Sequence, residues 1–322
     1  MQRNESVPSI LESEATGKVA EIYADIRQVL GTSIVNLIWR NLATIPGALE
    51  WTWITARPLY LGPAPDYADA VRRAIDLPAV PSFSRDTLAA AGLSNDDVVK
   101  ITDILDSYYY TNALALAVLS ALVIHFEPTQ QETVRPSDGA PRPLGVKLPE
   151  LPPMQSLKSE VVRLIEELNG FGEDTDKSLI ASMYRHLGYW PTYLSLVRTM
   201  LVPLETNGQL HTLTRSIRDL ARSHGSGLAQ HLRPSTPPDS LQQALASCRR
   251  FVDHPISRMT GICSLIRTAT DRPRAPEIAA SKVSEGFRAT FESSSVSSEA
   301  PEERRPDDRS LTETRPPGSP VP

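Results

Sequence analysis

The chain has 322 residues, 40% of them hydrophobic, and 33 Lys and Arg against 38 Asp and Glu give a net charge of −5. That length allows two cores or one large core, and the apolar content marks most of the chain as globular. The mild acidity, with basic residues scattered rather than ranked along one stripe, argues against a nucleic-acid partner.

The first residues, MQRNESVPSILESEATGKVAE, lack the apolar core of a secretory signal, so a cytoplasmic protein is expected. Residues 16–30 put Val19, Ile22, Tyr23, Ile26 and Leu30 on one face of an amphipathic helix. Residues 33–43 are apolar nearly all round and predict a central helix. Pro46 is expected to open a third helix, where its missing N–H costs nothing. Shorter helices are predicted over 66–76 and 84–91, and Asn95 with Asp96 reads as a cap for a helix over 97–107. A long aromatic and apolar segment follows over 106–125. Its most apolar run, ALALAVLSALVI at 113–124, falls short of the roughly 20 residues a bilayer needs, so a buried helix and no membrane partner are expected.

Residues 127–157 read as a linker, because Pro128, Pro136, Pro141, Pro143, Pro149, Pro152 and Pro153 forbid a regular helix. A second helical set is predicted over 157–168, 175–187, 191–202, 210–222, 240–252 and 256–268. Residues 271–322 lose apolar density and predict a mostly disordered tail. No stretch alternates with period two for long enough to make a strand, so the expected class is all-α.

The two helical sets echo each other. A shift of 145 carries Ser33 to Ser178, Arg40 to Arg185, Leu42 to Leu187, Pro46 to Pro191 and Leu49 to Leu194. The expectation is two tandem helical repeats, 1–126 and 158–270, forming an intramolecular pseudo-dimer with a pocket between them. Shared binary patterning without duplication is the plainer alternative. Cys248 and Cys263 sit in apolar helical segments and read as reduced core residues. Asp96, Asp97 and Asp103 could suggest an acidic metal cluster, but no matching second motif exists and capping explains the first two. No Walker loop, GxGxxG, HExxH or Cys/His spacing occurs, so no metal site is expected.

Several strings together resemble the group I 2-haloacid dehalogenases, which accept D and L 2-haloalkanoic acids. GKVAEIYADIRQVLGTSIVNLIWRNLATIPGALEWTW, at 17–53, and LAAAGLSNDDVVKITDILDSYYYTNALALAVLSAL, at 88–122, match the first repeat of that family. ASMYRHLGYWPTYLSL, at 181–196, and ALASCRRFVD, at 244–253, match the second. The resemblance implies an all-α pseudo-dimer that acts on a small-molecule substrate without cofactor or metal, and it leaves a homodimer open. It implies that a water, activated by an aspartate and oriented by an asparagine, attacks C2 directly and expels halide with inversion.

Carried onto this sequence, the water-orienting asparagine falls on Asn112, and the family's Ala-Ser-Asp falls on Ala181, Ser182 and Met183. The aromatic pocket pair falls on Ile34 and Leu37. Methionine cannot take a proton from water near pH 7, and loss of a general base costs ~10²–10⁴ in rate. His186, one turn beyond Met183, is the candidate substitute base, set against a surface or capping role. Tyr108, Tyr109 and Tyr110 divide between core and pocket, and Tyr109 is placed with the substrate-binding set. Glu173, Asp174 and Asp176 read as helix-start charges, and His254 beside Asp253 as a helix-junction residue. The expected function is a dehalogenase-like enzyme acting on an organic acid or apolar metabolite, with plain hydrolytic dehalogenation in doubt because Met183 replaces the base. The alternatives are a biosynthetic isomerase or cyclase using the same pocket, and a non-catalytic ligand-binding or interaction protein.

Overall fold

A computed structural model describes residues 7–127 and 147–271, apart from Asp174 and Lys177. Most of the expected linker and nearly all of the expected tail therefore lie outside the described residues. The first run of helices is α1 (Gly17–Leu30), α2 (Leu37–Leu42), α3 (Ala48–Leu61), α4 (Ala64–Ala74), α5 (Arg85–Ala90) and α6 (Asn95–His125). After an extended segment and a 3₁₀ turn (Met154–Ser156) come α7 (Ser159–Gly170), α8 (Ser182–Leu187), α9 (Pro191–Thr206), α10 (Gln209–Ala229), α11 (Leu241–Phe251), a π turn (Val252–Ile256) and α12 (Ser257–Ala269). Among the described residues there is no strand, only one parallel bridge between Phe83 and Thr270. The all-α expectation holds.

The two runs keep step. α2 and α8 are six residues each and stand 145 positions apart at both ends, and α4 and α10 also begin 145 apart. The starts of α1 and α7, α3 and α9, and α6 and α11 differ by 142, 143 and 146. All described residues belong to one compact unit, built around α6.

α6 explains why. Its start is fixed by a capping box: the Ser94 hydroxyl accepts from the Asp97 N–H, and the Asp97 carboxylate accepts from the Ser94 N–H. Trp190 Nε1 donates to the same carboxylate at 2.7 Å, tying the start of α9 to the start of α6. From Thr111 to Val123 every residue is buried, so the helix is apolar all round because α4, α10 and α12 surround it. By length and composition it could cross a membrane, but 78% of its most apolar window is covered by the rest of the fold, which accounts for that composition. At the α6–α10 crossing a Cβ on Gly225 would lie 2.9 Å from Ser120 Cβ and 3.2 Å from the Ala121 backbone nitrogen, so only glycine fits.

The structure corrects several predicted elements. The segments 97–107 and 106–125 are one helix of 31 residues, and its cap is Ser94 rather than Asn95 or Asp96. α3 begins at Ala48, with Pro46 in the turn before it. The predicted helices 33–43 and 175–187 shrink to α2 and α8. In both, side chains capture the backbone N–H groups that a longer helix would need. Glu12 accepts from Val35 N–H at 2.7 Å, and Thr32 Oγ1 accepts from Ile34 N–H at 3.3 Å. Glu173 accepts from Thr175 and Asp176 N–H groups, Asp176 from Ser178, and Asn169 Oδ1 from Ala181 N–H at 3.0 Å. Glu173 is thus a buried acceptor, also paired with His254 Nδ1 at 3.1 Å, and not a helix-start charge. His254 lies in the π turn, which accommodates Pro255 between α11 and α12.

Candidate functional site

α2, α6 and α8 converge on a partly open cavity of about 510 Å³, lined also by the π turn with its flanking helix ends, by the segment 147–153 and by residues 11–13, 33–36 and 179–181. α6 turns Tyr108, Asn112 and Ala115 toward it, spaced one and two turns apart on one helical face. α2 contributes Leu37, Ile38 and Arg40; α8 contributes Ser182, Met183 and Arg185. The shift of 145 therefore pairs all three with all three: Leu37 with Ser182, Ile38 with Met183 and Arg40 with Arg185. Phe251, Pro255, Ile256 and Met259 make an apolar wall opposite in character.

The site residues expected from sequence divide as follows. Ile34, Leu37, Asn112, Ala181, Ser182 and Met183 all line the cavity. Tyr109 does not. Its ring lies under the guanidinium of Arg267 at 4.4 Å and that of Arg72 at 5.2 Å, a half-buried cation–π stack outside the cavity lining. Helical geometry explains this: Tyr108, not Tyr109, is four residues before Asn112 and shares its face. His186 is also absent from the wall. It is fully buried behind Tyr108, with Nε2 3.1 Å from the Pro149 carbonyl and Nδ1 2.8 Å from the Tyr108 hydroxyl. The carbonyl can only accept, so Nε2 carries the proton and Nδ1 accepts from Tyr108. Burial lowers the His186 pKa to about 4, leaving it neutral and a weak base at pH 7.

Sequence reasoning missed Arg40 and Arg185, and of the three tyrosines it weighed for the pocket it chose Tyr109 where Tyr108 lines the wall. The signal for the arginines was present: one arginine at the same register in each of the two short helices. Both guanidiniums are buried. Arg185 donates from Nε and Nη2 to the Pro152 carbonyl at 3.1 and 2.9 Å. Burial pushes the Tyr108 phenol up, while the fields of Arg185 and Arg40 and a hydrogen bond from Ser182 pull it the other way. Both cations thus bear on the place where Tyr108 meets the cavity. Asn112, 7% exposed, has a buried Nδ2 with no hydrogen-bond partner. Of the wall carboxylates, Glu12 is held by Arg27 at 2.5 Å and by Val35 N–H, and Glu150 is exposed. Among the described residues no group of three or more His, Cys, Asp or Glu is placed to hold a metal ion. The cavity therefore presents hydrogen-bond donors, two buried cations and apolar surface, and Met183, 1% exposed, offers no acceptor for a proton.

Among the described residues the fold is helical, and a cavity of ligand size lies where its short central helices meet. No family model matches the chain. In sequence it is similar to two curated proteins described as configuration-inverting 2-haloacid dehalogenases. It is 26% identical to that of Pseudomonas sp. (strain 113) over 239 residues, 68% of this chain and 75% of the relative. It is 26% identical to that of Alcaligenes xylosoxydans xylosoxydans over 239 residues, 69% of this chain and 77% of the relative. An (R)-2-haloacid dehalogenase of Pseudomonas putida matches at 27% over 130 residues, 38% of this chain and 41% of the relative. Among solved structures, a D-2-haloacid dehalogenase mutant superposes with a TM-score of 0.63 at 16% identity, covering 82% of this chain and 94% of that one. A D-2-haloacid dehalogenase in complex with L-LA gives 0.63 at 14% identity, covering 82% and 95%. The chain is thus similar in sequence to curated 2-haloacid dehalogenases and has the fold of the solved D-2-haloacid dehalogenases.

Proposed function

We propose that this chain is a 2-haloacid-dehalogenase-like enzyme of the group I kind whose cavity binds an organic acid, and that Met183 stands where the family's general base would be. The observation that carries this reading is the Asn112 amide, a buried donor without a protein partner in the wall that Met183 shares. A buried amide donor costs free energy unless something accepts from it, and a carboxylate or an ordered water in the cavity would do so. Arg40 and Arg185 favour the anionic form of such a ligand. Asn112 orients; Ser182 and Tyr108 supply further hydrogen bonds; no residue replaces the aspartate at its own position.

The same reading takes the two runs of helices, 1–126 and 158–270, as repeats of one unit related by a pseudo-twofold, with α2 and α8 as its paired centre. It takes the protein as cytoplasmic, independent of metal or cofactor, and able to form a homodimer. The test is chloride release from each enantiomer of 2-chloropropionate near neutral pH. We expect release to be absent or slowed by ~10²–10⁴ relative to a sequence with the base intact. Rapid release by the unmodified chain would sink the reading of Met183. The neutral apolar centre formed by Ile38 and Met183 favours a second reading, an isomerase or cyclase that shapes a bulkier substrate without hydrolysis.

A further inference from the structure

We propose that the cavity takes a carboxylic acid with a long or bulky apolar body, its carboxylate held by Arg40, Arg185 and Asn112 and its body against Phe251, Pro255 and Met259. The proposal rests on the reading of this cavity as the ligand site, and it goes further in naming what fills it.

Size comes first. About 510 Å³ falls within the roughly 300–1,000 Å³ of pockets that bury drug-sized ligands. A three-carbon haloacid would leave most of that space as water against apolar walls, which is the unfavourable arrangement that burial removes. Polarity comes second. The buried polar groups, Arg40, Tyr108, Asn112 and Arg185, belong to α2, α6 and α8, with half-buried Ser182 beside them, while the other polar wall residues, among them Glu12, Lys147 and Glu150, are half-buried or exposed. The wall formed by the end of α11, the π turn and the start of α12 is apolar at each of its four lining residues. A cavity with one polar and one apolar side matches an amphiphile. The sign of the polar side comes third. Its unsatisfied buried amide is a donor, the Asn112 Nδ2, and its buried charges, Arg40 and Arg185, are cationic, while the wall carboxylate Glu12 is neutralised by Arg27 and Glu150 is exposed. That side suits an acceptor-only anionic head and rejects an ammonium.

The experiment is isothermal titration calorimetry on the full chain with straight-chain carboxylates from propionate to decanoate, below their micelle concentrations. Primary alcohols and amides of equal length serve as controls. We expect affinity to rise about fourfold per added methylene, the equivalent of about 0.8 kcal/mol each, over about four or more methylenes before levelling. We expect the alcohols to bind about tenfold or more weakly than the acids, as loss of a charge-assisted contact predicts. Ile34→Trp, at a partly exposed wall position, should bring the levelling point to a shorter chain. Affinity that does not grow beyond propionate, or alcohols that bind as tightly as acids, would overturn the proposal. Its outcome is separable from that of the enzymatic reading. A flat chain-length series with chloride release absent or slowed leaves the reading of Met183 standing and removes this one. A rising series with rapid chloride release does the reverse.

Discussion

On the proposed reading, replacing Met183 by aspartate would create the family's triplet Ala-Ser-Asp in the wall shared with Asn112, and so tests the site at its centre. Met183 is 1% exposed, so the new carboxylate would enter a nearly dry wall. Truncating the methionine removes packing worth about 2 kcal/mol, the low end for a large-to-small core change. Burial would also make the new carboxyl a weaker acid, and a hundredfold loss of acidity adds about 3 kcal/mol once the group must ionise. Arg40 and Arg185 in the same wall oppose this effect of burial and limit its size. The sign follows from linkage. The folded pKa lies above the unfolded value of about 3.9, so between the two the folded state binds more protons and stability falls as pH rises. The variant should therefore trail the unmodified chain by about 2 kcal/mol more at pH 8 than at pH 4. Denaturant titrations at the two pH values measure this difference, and chloride release from 2-chloropropionate measures any gained chemistry. A variant as stable as the parent at both pH values, and with no chloride release, would show that Met183 is not in a dry wall facing Asn112.

Two further expectations follow from packing and burial. Gly225→Ala should cost about 1–3 kcal/mol in urea unfolding, because the new Cβ meets Ser120 Cβ at 2.9 Å and backbone at 3.2 Å; an unchanged midpoint would mean α6 and α10 do not cross that closely. His186, with its pKa lowered from 6.5 to about 4, binds its proton less readily folded than unfolded. It should thus contribute stability that is present above about pH 6.5 and is lost, by roughly 3 kcal/mol, as pH falls toward 4. His186→Gln should flatten that part of the stability–pH curve, and a curve of unaltered slope would place the titration elsewhere.

Much of the helix order was legible because apolar spacing at a period of 3.6 survives in α1, α4, α7 and α10, each with one buried stripe. α6 was harder. Its polar early turns and its all-apolar later turns look like two elements, and only the α4, α10 and α12 contacts explain why one helix changes character midway. Periodicity overestimates α2 and α8 because Glu12, Glu173 and Asn169, distant or in loops, take the N–H groups that it assigns to helix. At the site, Asn112, Ile34, Leu37 and Ala181 to Met183 are reached through the family resemblance and the shift of 145, and they share one cavity. Choosing Tyr109 over Tyr108 ignores the helical face fixed by Asn112. The spacing of His186 from Met183 says nothing of the direction in which its side chain leaves the helix. Arg40 and Arg185 stand in the repeat alignment, where they register as pattern rather than as charge.

The segment 147–153 lines the cavity and also joins its two sides. Leu148 N–H donates to Ser33 Oγ at 3.0 Å, while the carbonyls of Pro149, Glu150 and Pro152 accept from His186, Tyr189 and Arg185. An occupant would touch this segment and both short helices at once, inside the single core that holds the chain folded. Its binding energy would then appear as resistance to unfolding, about 2.7 kcal/mol at a hundredfold excess over Kd. That makes the melting temperature of the chain a gauge of occupancy, usable to sift a metabolite collection for the natural ligand before any reaction is known.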